Sequence, residues 1–212
     1  MGEAAKDQPF LLFDLGGVLI ENVGFERFDA LLPQPVGIDA LKQRWLASTS
    51  VRNFELGLSD APDFARACVD EWELSCSPAV FIDEFTTWPK GFYPGALDLI
   101  ATLRGRHRIG CLTNSNALHW ARFDGFQEIF DVTLSSHRIG LIKPDAACFM
   151  HAIEACDVDA SDILFFDDSV PNVEAARRCG IDAVVANGIG EVRRILAGRG
   201  IHAQLRNDPR RE

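Results

Sequence analysis

Short runs of apolar residues recur along the chain, and most break off at polar side chains. FLLF at 10–13 ends at Asp14, RIGCL at 108–112 at Thr113 and Asn114, ILFF at 163–166 at Asp167 and Asp168, and DAVVA at 182–186 at Asn187. DVTLS at 131–135 leads into a loop holding Gly140 and Lys143. Runs that are apolar throughout, rather than alternating, predict strands covered on both faces, the habit of parallel sheets. Helical spacing fills the intervals. ALDLIATLR at 96–104 follows Pro94, a residue favourable in a first turn, and is predicted to stop at Gly105. Ala146, Phe149, Met150 and Ile153 recur at helical spacing within 145–156. Ser169 is predicted to cap the next helix, with Pro171 in its first turn and Gly180 just past its end. Strands alternating with helices of about ten residues predict an α/β core with a Rossmann-like parallel sheet.

Residues 22 to about 92 break this rhythm. They show no strand pattern, carry Trp45, Trp72 and Trp88, and include amphipathic stretches such as PDFARACVDEWEL. They are expected to form a helical insert after the first strand, with Gly91 to Pro94 as the return hinge. The expected division is a core of 9–21 and 93–201, a helical cap of 22–92, and a frayed tail of 202–212.

A chain of 212 residues, 47 % hydrophobic and 25 % charged, has the composition of an ordinary globular protein with room for one core and a smaller insert. No apolar run approaches the roughly 20 residues that cross a bilayer. Met1 to Gln8 has two acidic residues and no apolar stretch, so it does not read as a signal peptide, and the cytoplasm is expected. The six cysteines lie far apart, with no CxxC pair, and are expected to be buried free thiols in a reducing compartment. With 31 acidic and 21 basic residues the formal charge is −10, which argues against nucleic acid as a partner. An anionic substrate would have to be drawn in by local cations, so a metal and a placed lysine are the features to seek.

In open parallel sheets, ligands bind beyond the carboxyl ends of the strands. Asp14, Thr113, Asn114, Asp167 and Asp168 all fall at such ends, and the loop after another strand supplies Lys143. A lone acid at a strand end is more often a cap or a turn residue. An acid, a hydroxyl, an ammonium group and a second acid pair on one edge, from four segments, point to a site.

Four motifs in order, FDLGGVL at 13–19, LTNSN at 112–116, GLIKPD at 140–145 and FFDDSVPN at 165–172, resemble those of the haloacid dehalogenase superfamily over residues 10–187. The spacing resembles the branch with a helical cap inserted after the first motif. The FDLGGV start and the FFDDS motif are most similar to sugar-phosphate phosphatases acting on glucose 1-phosphate and related substrates. The resemblance implies that Asp14 is a nucleophile that forms an aspartyl-phosphate. It also implies Mg²⁺ between the Asp14 carboxylate, the Gly16 carbonyl and Asp168. Magnesium prefers oxygen ligands and keeps several waters, so this set suffices. Thr113 and the N–H groups of Asn114 and Ser115 would grip the phosphoryl oxygens, and Lys143 would neutralise both Asp14 and phosphate. Asp167 is expected behind the metal, with an exchange of roles with Asp168 left open. Asn172 is expected to orient Lys143 or the metal's waters.

One departure stands out. Most phosphatases of the superfamily carry a second Asp two residues after the nucleophile as general acid, and this chain has Gly16 there. General acid catalysis contributes about 10²–10⁴-fold. The sugar-phosphatase branch tolerates glycine at this place; Glu21 or a cap residue is the candidate substitute. Trp45, Arg52 and Phe54 in the insert and His119 and His137 in the core are read as structural or surface residues before any role at the site. Alternatives to a phosphatase are a dehalogenase, for which the missing acid would not matter, and a catalytically weak ligand-binding protein of the same fold. The expected partner is a small phosphorylated metabolite, and the chain is expected to be a monomer or a homodimer, without membrane association.

Overall fold

The computed structural model describes residues 8–123 and 125–201. The readings made of residues 1–7 and of the tail 202–212 fall outside the described residues. In chain order, β1 (Phe10–Phe13) and β2 (Ile20–Asn22) precede five helices, α1 (Gly24–Asp29), α2 (Ile38–Ala47), α3 (Thr49–Glu55), α4 (Ala61–Trp72) and α5 (Pro78–Thr86). Then come β3 (Pro89–Phe92), α6 (Ala96–Leu103), β4 (Ile109–Thr113), α7 (Ala117–Trp120), β5 (Val132–Ser135) and α8 (Ser136–Ile139). The chain continues through α9 (Ala146–Cys156), β6 (Ile163–Asp167), α10 (Val170–Arg178), β7 (Asp182–Val185) and α11 (Gly188–Gly198).

Five strands form one parallel sheet in the order β5-β4-β1-β6-β7, so the expected Rossmann-like α/β core is present. The all-apolar β1 explains itself here, because successive side chains leave opposite faces of a strand. Leu11 and Phe13 join Leu99, Ile100, Val192 and Leu196 from α6 and α11 on one side. Phe10 and Leu12 join Phe149, Ala152, Val173 and Ala176 from α9 and α10 on the other. Because β1 is central, Asp14 emerges between the ends of β4 and β6.

The insert differs from expectation at both margins. It is bracketed by a small antiparallel sheet in which Ile20 pairs with Phe92, Glu21 with Gly91 and Asn22 with Pro89. Gly91 is thus a strand residue and not a free hinge. Strands of three and four residues containing Gly and Pro carry no periodic signal; they exist because each supplies the other's hydrogen bonds across some seventy positions of sequence. Between them, Phe28, Trp45, Trp72, Phe81, Phe85 and Trp88 form a buried aromatic cluster. The helix expected over 96–104 is α6, which begins at Ala96 with Gly95 as its N-cap, so Pro94 lies just outside its first turn. Ser169 precedes α10, but its side chain caps nothing. Its backbone N–H instead donates to Asp167 Oδ1 at 2.8 Å, which turns the chain by another route.

Four of the six cysteines are buried and two half-buried, all as free thiols. Among the described residues no helix is long and apolar enough to cross a membrane.

Candidate active site

Asp14 follows β1 directly, and its N–H donates to Phe166 O at 2.8 Å, which carries the sheet ladder one residue further. Its carboxyl is therefore aimed by the rigid centre of the sheet. Lys143 comes from the loop after α8, and Asn114, just past β4, holds that loop. Asn114 Nδ2 donates to Lys143 O and Lys143 N–H donates to Asn114 Oδ1, each at 2.9 Å. The side chain of Lys143 is 1 % exposed, with Nζ 2.6 Å from Asp167 Oδ2 and 3.1 Å from Asp14 Oδ1. A lysine is almost never so buried unless it is paired.

Asp167 is occupied on all sides. Besides Lys143 it accepts from Asn172 Nδ2 at 3.0 and 3.1 Å and from the Ser169 N–H. Asn172 therefore reaches Lys143 through Asp167. Asp168 is less enclosed, and its Oδ2 lies 3.5 Å from Lys42 Nζ of α2. Burial pushes the Asp14 carboxyl up to about 7; Lys143 works against this, while Asp167 and Asp168 add to it. For Lys143, burial opposes the charged form, but the Asp14 and Asp167 carboxylates outweigh it and hold the ammonium above its ordinary range. Burial and the neighbouring Asp167 raise Asp168, and Lys42 pulls it back.

Asp14, Asp167 and Asp168 each bring a carboxylate oxygen within 4.8 Å of the others. Asp14 Oδ1 is also shielded from solvent and receives no well-directed hydrogen bond, Lys143 standing beside it but off the line. Clustered hard oxygens with an unfilled acceptor suit a cation such as magnesium. Asp14 and Asp168 are the less occupied members of the set, each beside a single lysine, whereas Asp167 is bonded by Lys143, Asn172 and the Ser169 N–H. The glycines after Asp14 differ in what they permit. At Gly17, with φ +74°, a Cβ would lie 2.9 Å from Asp168 Cγ, so only glycine lets that carboxyl approach. At Gly16 a Cβ would meet nothing nearer than Asn22 Nδ2 at 3.6 Å. The fold does not require glycine there.

Thr113 is buried at the end of β4, and Gly16, Asn22, Thr113, Asn114, Ser115 and His119 line a cleft beside it. One expectation is corrected: the Ser115 N–H, assigned to a phosphoryl oxygen, donates instead to Ser136 Oγ at 3.0 Å, because α8 starts directly against the loop. Asn114 spends its side chain on the Lys143 loop. His119 is structural: Nε2 donates to Phe85 O at 2.8 Å, and burial pushes its pKa down to about 4. His137 bonds Ser135 Oγ at 2.8 Å. Trp45 and Phe54 are buried in the insert, and Arg52 pairs with Asp145. Glu21 is exposed on β2. Sequence reasoning missed Lys42 and Glu55 of the insert; both sit in helical stretches with no motif, and only the docking of those helices marks them.

A family profile described as haloacid dehalogenase-like hydrolase matches residues 10–180, and the chain belongs to this family. A phosphatase of Mycobacterium tuberculosis is 36 % identical over 106 residues, covering 48 % of this chain and 49 % of the relative. A phosphoglycolate phosphatase of Nitrosospira multiformis is 28 % identical over 122 residues, covering 56 % of this chain and 51 % of the relative. The chain thus spans about half the length of these curated relatives. Among solved structures, a family enzyme of Bacteroides thetaiotaomicron in complex with magnesium and inorganic phosphate superimposes with a TM-score of 0.65 at 23 % identity, over 84 % of this chain and 93 % of that one. That likeness concerns the fold.

Proposed function

We propose that this protein is a magnesium-dependent phosphomonoester hydrolase acting on a small phosphorylated metabolite such as a sugar phosphate, with Asp14 as the nucleophile. The observation that carries the reading is the buried Lys143 ammonium set between Asp14 and Asp167 at a sheet edge where Asp168 completes a carboxylate cluster. Asp14, Asp168 and the Gly16 carbonyl would hold the ion. When bound, magnesium would screen the anionic nucleophile from an incoming phosphate and stabilise charge in the transition state. Lys143 favours the ionised Asp14 that attack requires and offers positive charge to the phosphoryl group. Thr113 and the Asn114 N–H would receive phosphoryl oxygens, with Asp167 and Asn172 fixing Lys143 from behind. Residues 22–92 would act as a cap over this edge, a reading supported by the Lys42 approach to Asp168. The mycobacterial phosphatase and the phosphoglycolate phosphatase support phosphate ester chemistry.

A panel of sugar phosphates, nucleotides and p-nitrophenyl phosphate, assayed with Mg²⁺ and again with a chelator, tests the proposal. Phosphate release should depend on Mg²⁺, and Asp14→Asn should abolish it, a loss of roughly 10³-fold or more. Full activity in that variant would refute the mechanism. Gly16 favours a second reading, a dehalogenase, since halide leaves without a proton. Chelator-resistant halide release from a 2-haloacid would establish it instead.

A further inference from the structure

The proposed chemistry leaves one role unfilled. An alkoxide leaving group needs a proton, and position 16 offers none. Nearby acids of the core are committed: Asp167 is bound by Lys143, Asn172 and Ser169, Asp168 belongs to the carboxylate cluster, and Glu21 is exposed on β2.

We propose that Glu55, the last residue of α3 in the insert, is the general acid that protonates the leaving oxygen; this rests on the phosphatase reading above. Two contacts on either side of it dock the end of α3 on the loop that carries Lys143. Arg52 reaches Asp145 Oδ2 at 2.5 Å, two residues beyond Lys143. Gly57 packs so tightly on α8 that a Cβ there would lie 2.7 Å from His137 O, on the other flank of the same loop. Glu55 lies between these anchors. It is half-buried beside the Trp45 side chain, and the charges of both Lys143 and Asp14 reach it. The charged groups that act on it are thus Lys143 and Asp14 from the core, while Arg52 on its own helix is paired with Asp145. Burial pushes its carboxyl up to about 7, so that it keeps a proton where an ordinary glutamate would have lost it.

The chemistry balances. An Asp14 oxygen forms a bond to phosphorus as the bond from phosphorus to the leaving oxygen breaks, and the Glu55 proton passes to that oxygen. The products are an alcohol, aspartyl-phosphate and the Glu55 carboxylate. The carboxylate then takes a proton from the water that attacks phosphorus, which returns Asp14, protonated Glu55 and inorganic phosphate.

The test compares two probes on the full chain with Mg²⁺, reading kcat/KM so that only steps through phosphoryl transfer count. Glycerol 2-phosphate releases an alkoxide that needs a proton, and p-nitrophenyl phosphate does not. Glu55→Gln should lower kcat/KM for glycerol 2-phosphate by roughly 10²-fold or more while p-nitrophenyl phosphate changes by less than about 3-fold. Adding Gly16→Asp, for which the backbone has room, should return much of the glycerol 2-phosphate rate. Equal losses on both probes would show a structural role, and no loss on either would show no role; each overturns the assignment. Failure of the phosphatase reading is seen separately, as an unmodified protein that releases no phosphate from p-nitrophenyl phosphate.

Discussion

At the carboxyl edge of the sheet, Lys143, Asp167 and Asn172 are buried as polar groups that bond through Asp167, with Asn172 Oδ1 left without a partner, whereas in the insert Phe28, Trp72, Phe81 and Phe85 are buried as rings that need only space. The two kinds of burial fail differently. A charge out of water is costly unless its partner is present, so each member of the edge depends on the others. A ring gains from area and contact with whatever surrounds it. The insert leaves the indole N–H groups of Trp72 and Trp88 without partners, a cost of about 1–3 kcal/mol each, and holds them by packing, whereas the unpartnered Asp14 Oδ1 of the edge is an acceptor that a cation can fill. The edge is therefore built for one arrangement of charges, and the insert for a volume.

Replacing Lys143 should have the largest effect. Lys143→Met keeps the bulk but leaves Asp14 and Asp167 facing each other in a dry pocket. Turnover should vanish, and urea unfolding at pH 8 should show a loss of about 3–5 kcal/mol. Without the ammonium the Asp14 carboxyl rises still higher, so the loss should shrink at pH 6, where protonation relieves the repulsion. A loss under about 1 kcal/mol at both pH values would mean that the buried charges do not bind the edge together.

Phe28→Ala should cost about 3–5 kcal/mol by opening a cavity beneath four aromatic neighbours, Trp45, Trp72, Phe81 and Trp88. Below its unfolding midpoint this variant should keep most of its kcat, since no reacting group is touched. Comparable loss of kcat with little loss of stability would erase the distinction between the two regions.

His119 joins them, stacking on Phe85 with ring centroids 4.3 Å apart while donating to the Phe85 carbonyl. Its pKa, about 4 in the fold, lies below the ordinary value of 6.5, so the fold holds the neutral ring. The stability this provides is complete above about pH 6.5 and is lost as pH falls toward 4, because only the unfolded chain gains the proton in that window. The shift corresponds to about 3 kcal/mol. In His119→Gln the difference in unfolding free energy between pH 7 and pH 4.5 should shrink by up to that amount. An unchanged difference would show that the seam is not held by a buried neutral histidine.

Much of the core was legible because its signals are local. FLLF and ILFF are apolar at every position, which only a strand covered on both faces explains, and the structure ends them at Asp14 and within Asp167. The same reading brought residues from four segments to one edge, where Asp14, Lys143 and Asp167 do meet. It failed at Ser169, whose capping pattern is real but whose backbone N–H is captured by Asp167, and at Ser115, taken by Ser136.

The order of apolar runs and the residues that end them were enough to determine the parallel core and which side chains its edge would collect, since strand periodicity and covalent position are properties of the chain alone. Tertiary structure decided the rest. The pairing of β2 with β3, the clasp of Asn114 on the Lys143 loop, and the arrival of Lys42 and Glu55 beside the edge each join segments whose separation in sequence carries no record of their contact. Such contacts appear only when packed helices fix the distance between groups that have no local reason to meet.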